Sequence, residues 1–216
     1  MYQNTLNMGR HENSNYSRIL SQINEMGRGK VFFNSDFPDF SSEEVRLNLS
    51  RLANEGTILR LSKGIYLYPN ENRFGVEYPS EYEIAKAIAR RDNAMIIPAG
   101  MTAANELGLS EQVPVKSVYL TDGSDRSINV NGREIVFKRV VPANFDYKTR
   151  LVPLLVQALK AIGQENMENE HFEQIKLLIH REPDLDALKR DATKAPDWIR
   201  KIIEPLVKKR IEDELD

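Results

Sequence analysis

The chain has 216 residues, of which 41% are apolar and 29% charged, a balance typical of a soluble globular protein with one large domain or two to three small ones. It contains no cysteine, no signal-peptide-like apolar segment and no run near the roughly 20 apolar residues of a membrane span, so we expect a cytoplasmic protein without disulfides, thiolate chemistry or a membrane partner. The formal net charge is −2, so binding to nucleic acid would require basic residues gathered on one surface.

The first predicted element is an amphipathic helix that begins near Asn15 and ends at Gly27, a residue suited to a left-handed cap. Its apolar stripe consists of Ile19, Leu20, Ile23 and Met26. The segment "VFF" after it predicts a short strand. A very short helix is expected next, which Asn34 or Ser35 could cap and Pro38 would interrupt.

The best-specified helix begins at Ser41. Ser41 and Glu44 have the S-x-x-E spacing of a capping box, and Phe40 and Val45 occupy the two staple positions around it. Gly56 is placed to close this helix. The face predicted to be buried consists of Val45, Leu49, Leu52 and Ala53.

Two β-rich segments, "TILRL" and "IYLY", follow this helix and predict a β-hairpin. The segment "SKG" between them predicts a three-residue loop, with Gly64 where a positive φ is needed. The order helix, short helix, capped helix and hairpin is typical of a winged helix-turn-helix, so we predict such a DNA-binding domain over residues 1–70.

The segment "PNENRFGVEYPS" is polar, contains two prolines and predicts a linker. After it we predict a C-terminal domain over residues 76–216, α+β over 76–146 and helical over 147–216. Asn131-Gly132 lies between β-rich segments and is the strongest short-range hairpin signal in the chain. The predicted fold class is therefore α+β. The core residues predicted for the first helix of this domain are Tyr82, Ala85, Ile88 and Ala89.

A DNA-reading helix needs one face for its own core and the opposite face for base edges. Opposite the predicted core face, arginine can pair with guanine, asparagine with adenine, and an exposed leucine can meet a thymine methyl group. Arg60 and Lys63 on the hairpin would approach phosphate, and Glu43 could accept from cytosine. The candidate DNA-binding residues are Arg46, Leu47, Ser50, Arg51, Asn54, Arg60 and Lys63. The alternative is a helix–hairpin unit that only packs or that binds a protein.

Features that would indicate an enzyme are weak. His11, His171 and His180 do not have the spacing of metal ligands. Asp122 and Asp125 lie beside Gly123-Ser124, but the strand that follows lacks the alternating carboxylates with which a nucleotidyltransferase holds metal. A polar turn is the favoured interpretation, so we expect no catalytic residue, metal or cofactor.

Four segments occur in an order that resembles a known family: "VRLNLSRLANEGTILRLSKGIYLYP", "PSEYEIAKAIARRD", "IPAGMTAANELGLSEQVP" and "VYLTDGSDRSINVNGREIVFKR". They resemble the AbiEi-type antitoxins of type IV toxin–antitoxin systems, which act in abortive phage infection, and most closely a compact bacterial branch of that family. The resemblance covers roughly residues 16–205 and is most specific over 45–139.

The resemblance implies a winged helix over residues 41–68 that binds double-stranded DNA at the protein's own promoter and represses its operon. It also implies a C-terminal antitoxin domain that counteracts a neighbouring nucleotidyltransferase toxin, without requiring a stable complex. Three alternatives stay open. They are a stand-alone regulator without a toxin, a protein-interaction module that does not bind DNA, and an enzyme whose polar cluster would be Asp122, Asp125 and Arg126.

Overall fold

The computed structural model describes residues 14–215 and mixes helices with strands, so the fold class is α+β as predicted. The chain divides after Arg91 into two compact units. This division lies later in the chain than the boundary near residues 70–76 that the sequence suggested.

The first unit has the element order of a winged helix-turn-helix. Its elements are α1 (Asn15–Met26), β1 (Val31–Phe33), a 3-10 helix (Asn34–Asp36), α2 (Ser42–Asn54), β2 (Leu59–Ser62), β3 (Ile65–Leu67), β4 (Asn70–Asn72), β5 (Gly75–Glu77) and α3 (Glu81–Arg91). The first three strands form an antiparallel sheet in the order β1-β3-β2, with β3 in the centre.

The helix α2 begins at the predicted capping box. The Ser41 hydroxyl accepts from the Glu44 backbone N–H at 3.3 Å, and the Glu44 carboxylate accepts from the Ser41 backbone N–H at 3.0 Å. Val45, Leu49 and Leu52 are buried, which confirms the predicted core face. They pack in one core with Ile19 and Ile23 of α1, so the two helices are held together by apolar contacts.

The β2–β3 hairpin is tighter than predicted. Ser62 pairs with Ile65, so Lys63 and Gly64 alone connect the strands, and the register is irregular between Arg60 and Ser62. Gly64 has a φ of 72°, as the turn prediction requires. The predicted three-residue loop was wrong because the irregular register in β2 lets Ser62 pair with the start of β3.

Two other local predictions in this unit were wrong. The side chain of Asn34 or Ser35 does not cap the short helix; instead, the Asp36 carboxylate accepts from the Phe33 backbone N–H at 2.9 Å. The predicted linker contains a two-stranded antiparallel hairpin, β4–β5, in which Asn72 pairs with Gly75. Its polar, exposed strands lack the apolar alternation by which a strand is usually recognised.

The helix α3 belongs to the first unit, although the sequence placed it in the C-terminal domain. It packs against β1, and the Arg91 guanidinium lies 4.6 Å from the centre of the Phe33 ring. Ala85, Ile88 and Ala89 are buried as predicted, Tyr82 is half-buried, and Ile84 is an additional buried residue.

The second unit joins a mixed sheet to a group of helices. Its elements are β6 (Ile96–Pro98), α4 (Met101–Glu106), β7 (Lys116–Thr121), β8 (Arg126–Val130), β9 (Arg133–Arg139), a 3-10 helix (Pro142–Phe145), α5 (Leu151–Ile162), a 3-10 helix (Gln164–Asn166), α6 (Asn169–Arg181), α7 (Leu185–Ala192) and α8 (Asp197–Leu215). The sheet order is β6-β7-β9-β8, and only the β7–β9 pair is parallel. The predicted Asn131-Gly132 turn joins β8 to β9, with φ values of 52° and 81°.

The helix α5 is the centre of the helical core, since both α4 and α7 pack against it. Eight of its residues are buried, from Leu151 to Leu159. No described helix is both long enough and apolar enough to cross a membrane.

Candidate nucleic-acid interface

The outward face of α2 presents the predicted base-reading side chains to solvent. Arg46, Leu47, Ser50 and Asn54 are exposed, and Leu47 keeps 56% of its surface accessible. The opposite face of α2 is buried in the core of the unit. The outward side chains are therefore not part of the core that holds the unit together.

Arg51 differs from its neighbours because it is already engaged within the unit. Its Nε donates to Glu55 Oε1 at 2.8 Å, and its guanidinium lies 4.5 Å from the centre of the Tyr16 ring. The Tyr16 hydroxyl donates to the second oxygen of Glu55. That hydrogen bond, followed by the one from Arg51, lowers the pKa of Glu55, so this carboxylate stays ionised beside the arginine.

Two of the three acidic residues of α2 and its C-terminal cap are occupied by local bonds. Glu44 closes the capping box and also accepts from the Asn15 side chain at 2.6 Å, while Glu55 is held by Tyr16 and Arg51. The hydrogen bonds from Ser41 lower the pKa of Glu44. Glu43 is exposed in the first helical turn, where a negative charge favours the helix dipole.

The β2–β3 hairpin presents the two predicted phosphate contacts. Arg60 and Lys63 are both exposed, and neither makes an ion pair within the described part of the chain. Arg60 pairs across the hairpin with Tyr66, whose side chain is buried in the core of the unit. Directly paired residues share a face of the sheet, so Arg60 lies on the same face as Tyr66, and it reaches solvent because β2 is the edge strand of this sheet.

Sequence reasoning missed Tyr16 and Glu55, because their link to Arg51 depends on how α1 crosses α2. Only the spacing of Arg51 and Glu55, four residues apart in a helix, indicated a pair. It also missed the β4–β5 hairpin, where Phe74 is 83% exposed and lies under the Arg73 guanidinium. The Asn72 side chain accepts from the Phe74 backbone N–H, a turn feature that the asparagine could have indicated.

The polar residues at the β7–β8 turn form hydrogen bonds and an ion pair with neighbouring segments of the same unit. Asp122 accepts from the Met95 backbone N–H at 2.7 Å, and Asp125 accepts from the Arg139 backbone N–H at 2.6 Å. Arg126 pairs with Asp92 and lies 5.0 Å from the centre of the Phe137 ring. These side chains connect the turn to neighbouring strands, in keeping with the interpretation as a polar turn.

The two histidines in the described part of the chain, His171 and His180, do not form a metal site. His171 Nδ1 accepts from the Glu168 backbone N–H at 2.9 Å, His180 is exposed, and His11 lies outside the described residues. Within residues 14–215, no group of three or more His, Asp or Glu side chains is arranged to hold a metal ion.

Comparison with known families adds one finding. Residues 18–186 match the model of a family described as a family of unknown function, DUF6088. The chain belongs to the DUF6088 family. The match begins in α1 and ends in α7, so the winged helix and most of the second unit are both part of what defines DUF6088. No curated protein matches the chain.

Proposed function

We propose that this DUF6088 protein is a winged-helix transcriptional repressor that binds double-stranded DNA at its own promoter. In this proposal α2 enters the major groove and the β2–β3 hairpin contacts the backbone beside it. The protein acts by binding and not by catalysis.

The observation that supports this proposal is the division of α2 into two faces. Val45, Leu49 and Leu52 complete the core, while Arg46, Leu47 and Asn54 extend outward with donors and an apolar group suited to base edges. Because any surface helix has a polar outer face, it is the types of side chain on this face, and not the face as such, that support the proposal. Because a fold alone does not imply a function, the proposal rests on these side chains.

The distribution of charge supports the same surface. The chain as a whole is slightly acidic, but Glu44 and Glu55 are tied into local bonds, whereas Arg46, Arg60 and Lys63 have no carboxylate partner among the described residues. Basic groups without partners are those that can release counterions from DNA phosphates, which is the main sequence-independent term in DNA binding.

The test is a competition titration with the promoter fragment and a scrambled fragment at several salt concentrations. Arg60→Ala and Lys63→Ala should weaken binding to both fragments alike and lower the salt slope by about one unit each. Asn54→Ala should weaken promoter binding by about 1–3 kcal/mol and leave binding to the scrambled fragment nearly unchanged. Lys86→Ala, which removes an exposed charge from α3, is the matched control.

Two outcomes would contradict the proposal. If the wild-type protein shows no preference for its promoter, residues 41–69 serve a packing or protein-binding role. If Arg60→Ala and Lys63→Ala bind as the wild type does, the hairpin is not a wing in the functional sense.

We further propose, from the resemblance to AbiEi-type antitoxins, that the second unit counteracts a nucleotidyltransferase toxin encoded beside it. Growth rescue in cells that express the neighbouring nucleotidyltransferase tests this role. Rescue should persist in Asn54→Ala, whose promoter recognition is weakened, since in this proposal the two activities lie in different units. A flanking region without such a gene, or a toxin that the protein does not neutralise, would leave repression as the function.

A further inference from the structure

A surface cleft of about 720 Å³ lies along the last two helices of the second unit. Its size falls within the range of small-molecule sites in proteins. Its walls come from α7 and α8, and the residues that line it are distinct from those of the candidate nucleic-acid interface.

The floor of the cleft is apolar. Ala192 and Val207 are almost fully buried members of the helical core, and Ile211 is half-buried beside them. Pro205 also lines the cleft, and because proline has no N–H the carbonyl of Lys201 lacks its usual intrahelical donor. An apolar floor suits a molecule with a hydrocarbon part better than a fully polar one, so any attraction for an anionic group must come from the rim of the cleft.

The charges at the rim favour an anion. Glu212 lies 3.7 Å from Lys208 and Glu204 lies 4.0 Å from Arg200, so both glutamates at the rim have a basic neighbour. Lys189 and Lys201 line the same cleft and have no carboxylate partner among the described residues. Two unpaired amino groups above an apolar floor are complementary to a single anionic head with a short hydrocarbon body.

We propose that the α7–α8 cleft binds a small amphipathic monoanion, with its hydrocarbon chain on Ala192, Val207 and Ile211 and its anionic group between Lys189 and Lys201. The site does not depend on the proposed DNA binding. It is a ligand site in the unit that carries the proposed antitoxin role.

The test is a calorimetric titration of the full chain with decanoate, octanoate and 1-decanol. Decanoate should bind, and octanoate should bind about tenfold to twentyfold more weakly, because two buried methylene groups are lost. The neutral 1-decanol should bind about tenfold more weakly than decanoate, since it makes neither ion pair. Equal affinity for the alcohol and the carboxylate would overturn the proposal, because it would indicate unspecific partition onto an apolar surface.

Substitutions of residues that line the cleft test whether decanoate binds there. Lys189→Gln and Lys201→Gln should each weaken decanoate binding by up to about fivefold, as expected for one exposed ion pair. Thr193→Trp should abolish binding, because Thr193 is exposed at the rim and a larger side chain there fills the cleft. Lys176→Gln on α6 removes a similar exposed charge away from the cleft and should bind decanoate as the wild type does.

Three results would contradict the proposal. The first is no heat of binding with decanoate, and the second is unchanged affinity for decanoate in both lysine variants. The third is that the wild-type protein self-associates in sedimentation while Thr193→Trp is a monomer. The last result would assign the cleft to a second copy of the chain instead of a small molecule.

Discussion

Arg46 and Arg51 are both basic side chains of α2, yet their surroundings differ at the scale of single residues. Arg46 extends into solvent without a described partner, whereas Arg51 is held by Glu55 and stacked on Tyr16. Because the pKa of Glu55 is lowered, this carboxylate remains charged through the neutral range and competes with any phosphate or base for the same guanidinium. Mutation, and not a change of pH, is therefore the way to break the pair.

Replacing Glu55 by Gln should strengthen promoter binding, because Arg51 is released and one negative charge is removed from the proposed interface. The gain should be at most about fivefold, since an exposed ion pair contributes about 0.2–1 kcal/mol. A salt-controlled shift titration measures it, and Glu71→Gln on the exposed strand β4 is the matched control. Weaker and less selective binding by Glu55→Gln would instead mean that Glu55 orients Arg51 toward a base.

Gly64 provides a second test at residue scale. Its φ is 72°, and no atom lies within 4 Å of where a Cβ would stand, so the cost of a substitution there is backbone strain alone. Gly64→Val should destabilise the first unit by about 1–2 kcal/mol in urea unfolding. Gly64→Asn should cost less, because asparagine tolerates the left-handed region. Equal losses for both variants would indicate a side-chain clash as the cause.

At the scale of elements, the sequence predicted the features that depend on neighbours in the chain. The Ser41–Glu44 capping box, the Asn131-Gly132 turn and the positive φ of Gly64 each follow from a few adjacent residues. Prediction from the sequence failed for features that depend on packing between residues distant in the chain. The placement of α3 against β1 and the hydrogen bond of Tyr16 to Glu55 depend on how elements distant in the chain pack together, which local patterns do not encode.

Asp191 shows how one side chain fixes the position of a whole element. This residue of α7 is fully buried, and its Oδ2 accepts from the backbone N–H groups of Lys148 and Thr149, at 2.8 Å and 2.6 Å, and from the Thr149 hydroxyl at 2.9 Å. The segment before α5 is thereby attached to α7. Lys194 lies 3.9 Å from the other carboxylate oxygen and offers partial charge balance.

Replacing Asp191 by Ala should destabilise the second unit by about 3–5 kcal/mol, because the two backbone N–H groups and the Thr149 hydroxyl lose their acceptor inside the protein. Urea unfolding followed by circular dichroism measures the loss. Asp186→Ala, on the exposed face of the same helix, should change stability by no more than about 0.5 kcal/mol. A loss below about 1 kcal/mol in Asp191→Ala would show that water replaces the carboxylate.

At the scale of the whole molecule, the division after Arg91 gives each unit a core of its own. The first core lies between α1, α2 and the strands, with α3 packed separately against β1, and the second core joins the helices from α4 to α8, with Ile97 of β6 packed against it. This organisation should allow the proposed promoter binding and the proposed antitoxin activity to be separated by mutation. It also changes where the protein can be divided, since the sequence alone suggested a boundary near residue 76.

The fragment 1–91 should therefore unfold cooperatively in urea, while the fragment 1–76 should be less stable by roughly 3 kcal/mol or more. The shorter fragment lacks α3, whose Ile84, Ala85, Ile88 and Ala89 are buried in the full chain, and burial of one isoleucine contributes about 1.5–3 kcal/mol. Ile88→Ala in the longer fragment is the matched control, with an expected loss of about 2–5 kcal/mol. If both fragments unfold at the same urea concentration, α3 is an appendage and the domain boundary lies near residue 76. If only the longer fragment folds, α3 is an integral part of the winged-helix unit, and DNA-binding measurements on the isolated unit must include it.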